Sequence, residues 1–405
     1  MYSQYTDELK AAGLQVLFSL VRADADASGA ARLAVRGGDI PWPYIRHMAV
    51  RHKMASILYF KVKKLGILHQ LPDNVQRFFK MHYLQVTGGN MRLRKRLTDI
   101  LALLESEDVP VVPFKGPVRT QALYDDSAVR YCQDLDLLVP RQKAAAARKV
   151  LGAAGYAHRD EPLEALNCSQ FEKFAAYEKE FELGDSAGAT LIDLHWRLAG
   201  GTWRPFDYTF CRDRLQRMWF DGREVLCLSD EDMVVYLCVH GSLEGWQNLG
   251  AVLCLAEYME KRPGLDWDLV LELAGVLHCR RMLLLGLFLA KDLFGAAVPD
   301  KIMARMERDK AVYRLADRIY RRLLGTGAGK SVGSHIERRF ADIPYQMAVY
   351  PNVLDKFYYL WRVLFWPTQK DWRDFPVPAR FSFLLFLRRP VVMGVELVGA
   401  VGGRR

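Results

Sequence analysis

Three carboxylates and a lysine-glycine pair carry the chemical promise of this chain. The stretch "QDLDLLV" places Asp134 and Asp136 two residues apart inside an apolar run. In a β-strand, residues i and i+2 project from one face, so the two carboxylates would stand side by side while Leu135 and Leu137 turn to the core. Carboxylates held that close repel, or take up a proton, unless a cation lies between them. Mg²⁺ is bound through one or two carboxylates together with substrate phosphates, so the pair points to a nucleotide site. Asp193 in "LIDLHWRL" is the natural third acid, since a carboxylate in an apolar strand is costly without a partner. Its strand would have to lie beside that of Asp134. An exposed strand face explains Asp134 and Asp136 alone equally well.

In "PFKGPV", Gly116 ends an apolar run and precedes a short helical pattern. Its lack of a side chain lets the backbone approach a ligand, and the free N–H groups of the helix start would face a phosphate. Pro117 suits the first helical turn, and Lys115 adds a point charge. A strand-to-helix turn with a solvated lysine explains the pair by itself. "GTGAGKSVGS" (Gly325–Ser334) contains G-x-G-K-S, but Leu324 stands where a phosphate-binding loop needs glycine. It reads as a flexible loop.

These residues need a scaffold, and the elements around them alternate. A β-branched run around Val109–Phe114 predicts a strand and Val118–Leu123 a short helix. "YDDS" follows as a turn, then a strand over Asp134–Val139. "RQKAAAARKVLGAAG" predicts a helix closed by Gly155. "EKEFEL" and "ATLIDLHWRL", joined by "GDSAG", have the pattern of a hairpin. Before this unit the chain reads as helical, with a second helical stretch weakened at Gly88-Gly89. After it, Ser229 and the acids behind it signal a helix start, and the segment around "MLLLGLFLA" reads as a central buried helix. The expected organisation is an N-terminal helical region (1–108), an α/β unit (109–225), a helical domain (226–324) and a C-terminal region (325–405).

With 405 residues, 51% of them apolar, the chain exceeds the size that one core usually serves. Its seven cysteines are scattered, without a C-x-x-C pair, as expected for reduced thiols of a cytoplasmic protein. The first ten residues lack the pattern of a secretion signal, and no run approaches the roughly 20 apolar residues of a spanning helix. The net charge of +10 is concentrated: residues 301–405 hold 20 basic and 9 acidic side chains. That quarter is also aromatic. Such a surface suits a membrane face, an acidic partner or nucleic acid, although charge runs usually just solvate a face.

The combination of "FKG", "LYDDSAVRYCQDLDLLV", "IDLHWRL" and "LCVHGSLEGW" resembles an uncharacterised bacterial nucleotidyltransferase family of the DNA polymerase β-like superfamily. The match runs from about Trp42 to Tyr258. The resemblance implies an α+β fold: a polymerase β-like palm with a small mixed sheet, flanked by helical regions. It implies that Asp134, Asp136 and Asp193 bind metal and act in catalysis, with two Mg²⁺ ions expected and Mn²⁺ an alternative. Lys115, Gly116 and Arg130 would seat the nucleotide. His195 would orient an acceptor or serve equally as a structural histidine, and His240, Gly241 and Trp246 would support the back of the pocket, chiefly by packing. Two positions depart from the pattern. Gly116-Pro117 lacks the hydroxyl that the superfamily often places at the turn, and Cys254 stands where relatives often have aspartate.

The expected function is transfer of a nucleotidyl group from an NTP, with ATP the expected donor, to a hydroxyl or phosphate acceptor on a small molecule, peptide or glycan. Pyrophosphate would leave. Two alternatives remain open: a non-catalytic nucleotide-binding or docking protein, and a nucleic-acid nucleotidyltransferase. The latter ranks lower because the basic excess lies outside the α/β unit. The expected location is the cytoplasm, with peripheral membrane attachment left open.

Overall fold

The computed structural model describes residues 6–22, 40–124, 129–200, 204–325 and 335–402. The "YDDS" turn beyond Tyr124 and the Gly/Ser-rich loop beyond Gly325 lie outside the described residues.

A five-stranded sheet positions the carboxylates. Its strands are β1 (Val112–Pro113), β2 (Leu135–Leu138), β3 (Tyr156–Ala157), β4 (Glu180–Asp185) and β5 (Leu191–His195). They lie in the order β1-β2-β5-β4-β3. Only β2 and β5 run parallel; the other neighbours are antiparallel. The mixed sheet follows from the connections: the short turn after Asp185 makes β4 and β5 a hairpin, whereas the chain between β2 and β5 runs through three α-helices, β3 and β4.

Alternation along the strands divides the sheet into two faces. Leu135, Leu137, Phe181, Leu183, Ile192 and Leu194 all point into one apolar core. The helices Ala144–Ala153 and Cys168–Tyr177 cover that face, with Leu93, Leu97 and Leu101 of the helix Asp73–Ser106. Trp372 and Leu385, from the basic C-terminal quarter, are fully buried in the same core. The opposite face of the sheet carries the acids.

The helix Asp73–Ser106 is continuous through Gly88-Gly89, where a weak point was expected. Two glycines cost about 1 kcal/mol each in a helix interior. Its long buried face outweighs this, and Asn90, just past the pair, donates to Arg130 O at 2.6 Å and accepts from Cys132 N at 3.2 Å.

A second core joins parts of the chain that are far apart in sequence. The N-terminal helices Asp7–Val21, Trp42–Arg51 and Ala55–Lys64 pack with the helices Asp230–Leu243, Leu249–Glu260 and Arg280–Phe294. Ser229 caps the first of the later helices through Asp232 N, as its sequence suggests. Buried His52 accepts from Leu249 N at 3.2 Å, and its carbonyl accepts from Gly250 N at 3.1 Å. A Cβ on Gly250 would meet that carbonyl at 2.6 Å, so only glycine allows the approach. A separate hairpin, β6 (Gln216–Phe220) and β7 (Arg223–Cys227), links sheet and helices. Among the described residues no helix is long and apolar enough to cross a membrane.

Candidate active site

The parallel register of β2 and β5 sets Asp136 directly beside Asp193. On β4, Glu182 is the lateral partner of Asp193, and Glu180 that of His195. Side-chain oxygens of Asp136 and Asp193 and a ring nitrogen of His195 lie within 4.8 Å of one another, a spacing suited to a shared metal ion. Asp134 precedes β2 by one residue and stays outside this closest cluster. Its charge still acts on both Asp136 and Asp193.

Lys115 reaches into the acids. Its Nζ lies 2.6 Å from Asp136 Oδ1 and stands over the rings of Phe114 and Tyr236. His195 Nε2 lies 3.1 Å from the same oxygen, while Nδ1 lies 3.1 Å from Glu180 Oε2. Glu180 in turn pairs with Lys179. The second Asp136 oxygen, Oδ2, is buried and has no hydrogen-bond partner among the described residues.

These surroundings drive the two central carboxylates apart. Asp193 is pushed up to about 8, first by burial and then by the charges of Asp136, Glu180 and Asp134. Asp136 is held well below the usual carboxylate range: burial opposes this, but Lys115 and His195 overcome it. Without a further cation, then, Asp136 is the anion and Asp193 keeps its proton near neutral pH. A divalent cation would favour the ionised form of both. The orphaned Asp136 oxygen, the neighbouring Asp193 carboxyl and the His195 nitrogen form a donor set that fits a hard or borderline divalent ion.

Gly116 has φ +64°, and a Cβ there would meet Asp134 O at 3.2 Å. Glycine therefore brings the start of the helix Gly116–Tyr124 against the first of the acids. Arg130 is not brought to the carboxylate cluster. Its guanidinium bonds Gly250 O at 2.8 Å and lies 3.6 Å from Glu257 Oε2. Glu257 also pairs with Lys61 at 2.7 Å and accepts from Tyr124. Cys254, one turn before Glu257, faces Arg130 and Tyr124.

His240 stacks on Tyr236 with ring centroids 5.5 Å apart. Burial and the charge of Lys115 lower it to about 3, so it is neutral at physiological pH. The later glycine and tryptophan of its motif have a packing role. A Cβ on Gly241 would stand 2.5 Å from the Trp246 ring, and Trp246 N donates to Gly241 O at 2.7 Å. The indole thus folds back over the end of its own helix.

Two residues of the site escaped the sequence reading. Glu180 was visible as one of three alternating acids in "EKEFEL", but its meeting with His195 depends on hairpin register. Arg119 lies one turn after Lys115. Its Nε is buried without a hydrogen-bond partner among the described residues, and its charge acts on Tyr236 and His240, as that of Lys115 does. Lys179, the partner of Glu180, also lines a cavity of about 340 Å³ together with Glu178, His240, Arg362 and Trp366. Burial pushes Glu178 up to about 7.

A buried, metal-competent acid cluster at a glycine turn is the kind of site that nucleotide-handling enzymes use. The family model described as "Uncharacterised nucleotidyltransferase" matches residues 38–295, and the chain belongs to that family: it is a nucleotidyltransferase. Membership implies a nucleoside triphosphate substrate, and such enzymes generally use divalent metal ions. No curated protein and no solved structure matches the chain.

Proposed function

We propose that this enzyme is a Mg²⁺-dependent nucleotidyltransferase with a polymerase β-like palm, moving a nucleotidyl group from an NTP, with ATP the expected donor, to a hydroxyl or phosphate acceptor. The observation that supports this reading best is the register that sets Asp136 beside Asp193, with His195 completing the cluster. Asp136 and Asp193, with Asp134 at the strand entrance, would hold the metal. When bound, the ion would stabilise charge on the entering and leaving oxygens. Mn²⁺ could serve in its place, and a second ion is expected.

The acceptor oxygen forms a bond to the α-phosphorus as the bond to the β-phosphate oxygen breaks and pyrophosphate departs. For a hydroxyl acceptor, Asp193 takes part in removing the proton. His195, fixed between Asp136 and Glu180, orients the carboxylate row. The helix start at Gly116 receives phosphate oxygens. Arg119 is assigned the charge-balancing role, because Lys115 is engaged with Asp136 and Arg130 with Glu257. The acceptor is assigned to the cavity between Lys179, His240 and Arg362.

Purified enzyme is to be screened with each NTP and candidate acceptors, measuring pyrophosphate and the mass added to the acceptor. Pyrophosphate release that requires Mg²⁺ and disappears in Asp136→Asn and Asp193→Ala is expected. Release at the wild-type rate from either variant would sink the assignment.

A further inference from the structure

Most large apolar side chains of the described residues that face solvent belong to one short stretch. Eleven of eighteen lie between Val353 and Val395. Within the helix Val353–Phe365 they are Val353, Leu354, Phe357, Trp361 and Leu364. At ~100° per residue these positions fall within an arc of about 100°, so they form one stripe. Val353 is 78% exposed and Phe357 66%. The opposite side of this helix does other work: Arg362 and Val363 line the cavity that Lys179 also lines.

The helix Leu384–Gly402 packs against the first and repeats the arrangement. Leu385, Arg389 and Met393 are buried. Phe383, just ahead of the helix, and Leu387, Val391 and Val395 face outward, the last three each 65–67% exposed. The inward row is tied down, since buried Asp371 lies 3.1 Å from Arg388 and 3.4 Å from Arg389. Buried Trp372 and Leu385 anchor the region in the core beneath the sheet. The two stripes therefore stand on a fixed platform.

Charge identifies what they would meet. The stretch 353–395 holds seven basic and three acidic residues. Asp355 and Asp371 are buried, leaving Asp374 as its exposed acid, whereas Lys370 and Arg380 are exposed and Lys356 and Arg388 partly so. An apolar stripe flanked by exposed cations, on helices that do not span a bilayer, suits the interface of an anionic membrane. An acidic protein would satisfy the cations but would not require so many aliphatic and aromatic side chains in water.

We propose that the outward faces of the helices Val353–Phe365 and Leu384–Gly402 form a docking surface for an anionic lipid bilayer, on which the enzyme sits peripherally. The apolar stripes enter the boundary between headgroups and acyl chains, and the basic residues lie over the anionic headgroups. The cavity assigned to the acceptor is then held close to the membrane plane by the inner side of the same helix.

The full chain is to be sedimented with vesicles of phosphatidylcholine alone and with vesicles carrying about 30% phosphatidylglycerol. Binding to the anionic vesicles is expected to be about tenfold tighter or more, and to weaken as salt rises. Leu354→Ser/Phe357→Ser/Leu387→Ser should reduce it by about tenfold with Tm held within about 2 °C, because all three side chains are at least 66% exposed to water. Lys356→Glu/Arg380→Glu should erase the preference for anionic vesicles. Equal binding to both vesicle types, or wild-type binding by the triple-serine protein, would overturn the proposal. So would a wild-type dimer that the serine substitutions convert to monomer without any vesicle binding, since the face would then be a protein interface. NTP turnover in solution is read separately, so failure of docking and failure of the catalytic assignment are distinguishable.

Discussion

Around Glu257, one buried carboxylate meets Lys61, Arg130 and Tyr124. Around Asp136 and Asp193, four carboxylates meet two lysines, and one buried Asp136 oxygen has no hydrogen-bond partner among the described residues. Both clusters are polar islands inside apolar packing, yet their balance is opposite. The first has more positive than negative charge and draws its members from three regions: the N-terminal helices, the sheet unit and the helical domain. It ties the molecule together. The second has an excess of acid that its own lysines do not neutralise. A folded protein tolerates such an excess when the missing charge arrives with a ligand. Charge balance, more than burial, separates the fastening from the reactive site.

That contrast can be broken most directly at Asp193. Asp193→Ala should lower pyrophosphate release by about 10³-fold or more, about 4 kcal/mol in the barrier, while Tm stays level or rises because the cost of burying that carboxyl among other acids has gone. A clear fall in Tm would show that the acid row is structural. Glu257→Ala should behave in the opposite manner. It leaves Lys61 and Arg130 without their carboxylate and should cost about 3–5 kcal/mol of stability in denaturant unfolding, with turnover per folded molecule retained. Loss of turnover at unchanged stability would place the Glu257 cluster in the reaction.

The acid excess also predicts a pH signature. Asp193 is raised from 3.8 to about 8, so the metal-free enzyme holds a proton there that a divalent cation must displace. Apparent Mg²⁺ affinity, followed by calorimetry, should rise by about tenfold per pH unit approaching 8 and level off above it. In the absence of metal the sign for stability is reversed. The unfolded chain loses this proton near 4 and the folded chain near 8, so the contribution of Asp193 to stability falls between those values and is restored by metal. A flat affinity profile would remove Asp193 from the metal site. The smallest effect concerns the two arginines. Arg119→Ala should weaken NTP binding by about tenfold, about 1.4 kcal/mol, without unfolding. Arg130→Ala should chiefly lower Tm. Exchange of these two outcomes would return the phosphate role to Arg130.

How far this division is legible in the sequence depends on distance along the chain. Asp134, Asp136 and Asp193 stand out because strand alternation is local: acids alternating with leucine or isoleucine in an apolar run announce a face. The strands and the Gly116 turn are equally local, as is the capping Ser229. The partner of Arg130 is not, since Glu257 is brought to it by the packing of a helix from another region. Glu180 meets His195 through the antiparallel register of a hairpin, and Arg119 enters the site through the rotation of a nine-residue helix. The unbroken passage through Gly88-Gly89 was likewise hidden, because burial farther along the helix and the contacts of Asn90 outweigh local propensity.

The lateral pairing of β2 and β5 has a consequence for how errors in folding are exposed. Side chains alternate along β5, so a slip of one residue would drive Asp193 toward Phe181 and Leu135 and lift Leu194 into the acid row. A misregistered molecule would bury a charge and lose its core contacts together. The reading frame that assembles the carboxylates is thus the one that closes the core, and a chain able to complete its interior has already aligned its acids. The exposed turn between β4 and β5, residues 186–189, can absorb an inserted residue without disturbing that frame. An insertion between Leu191 and His195 cannot be absorbed. Proofreading of the site is built into the packing beneath it.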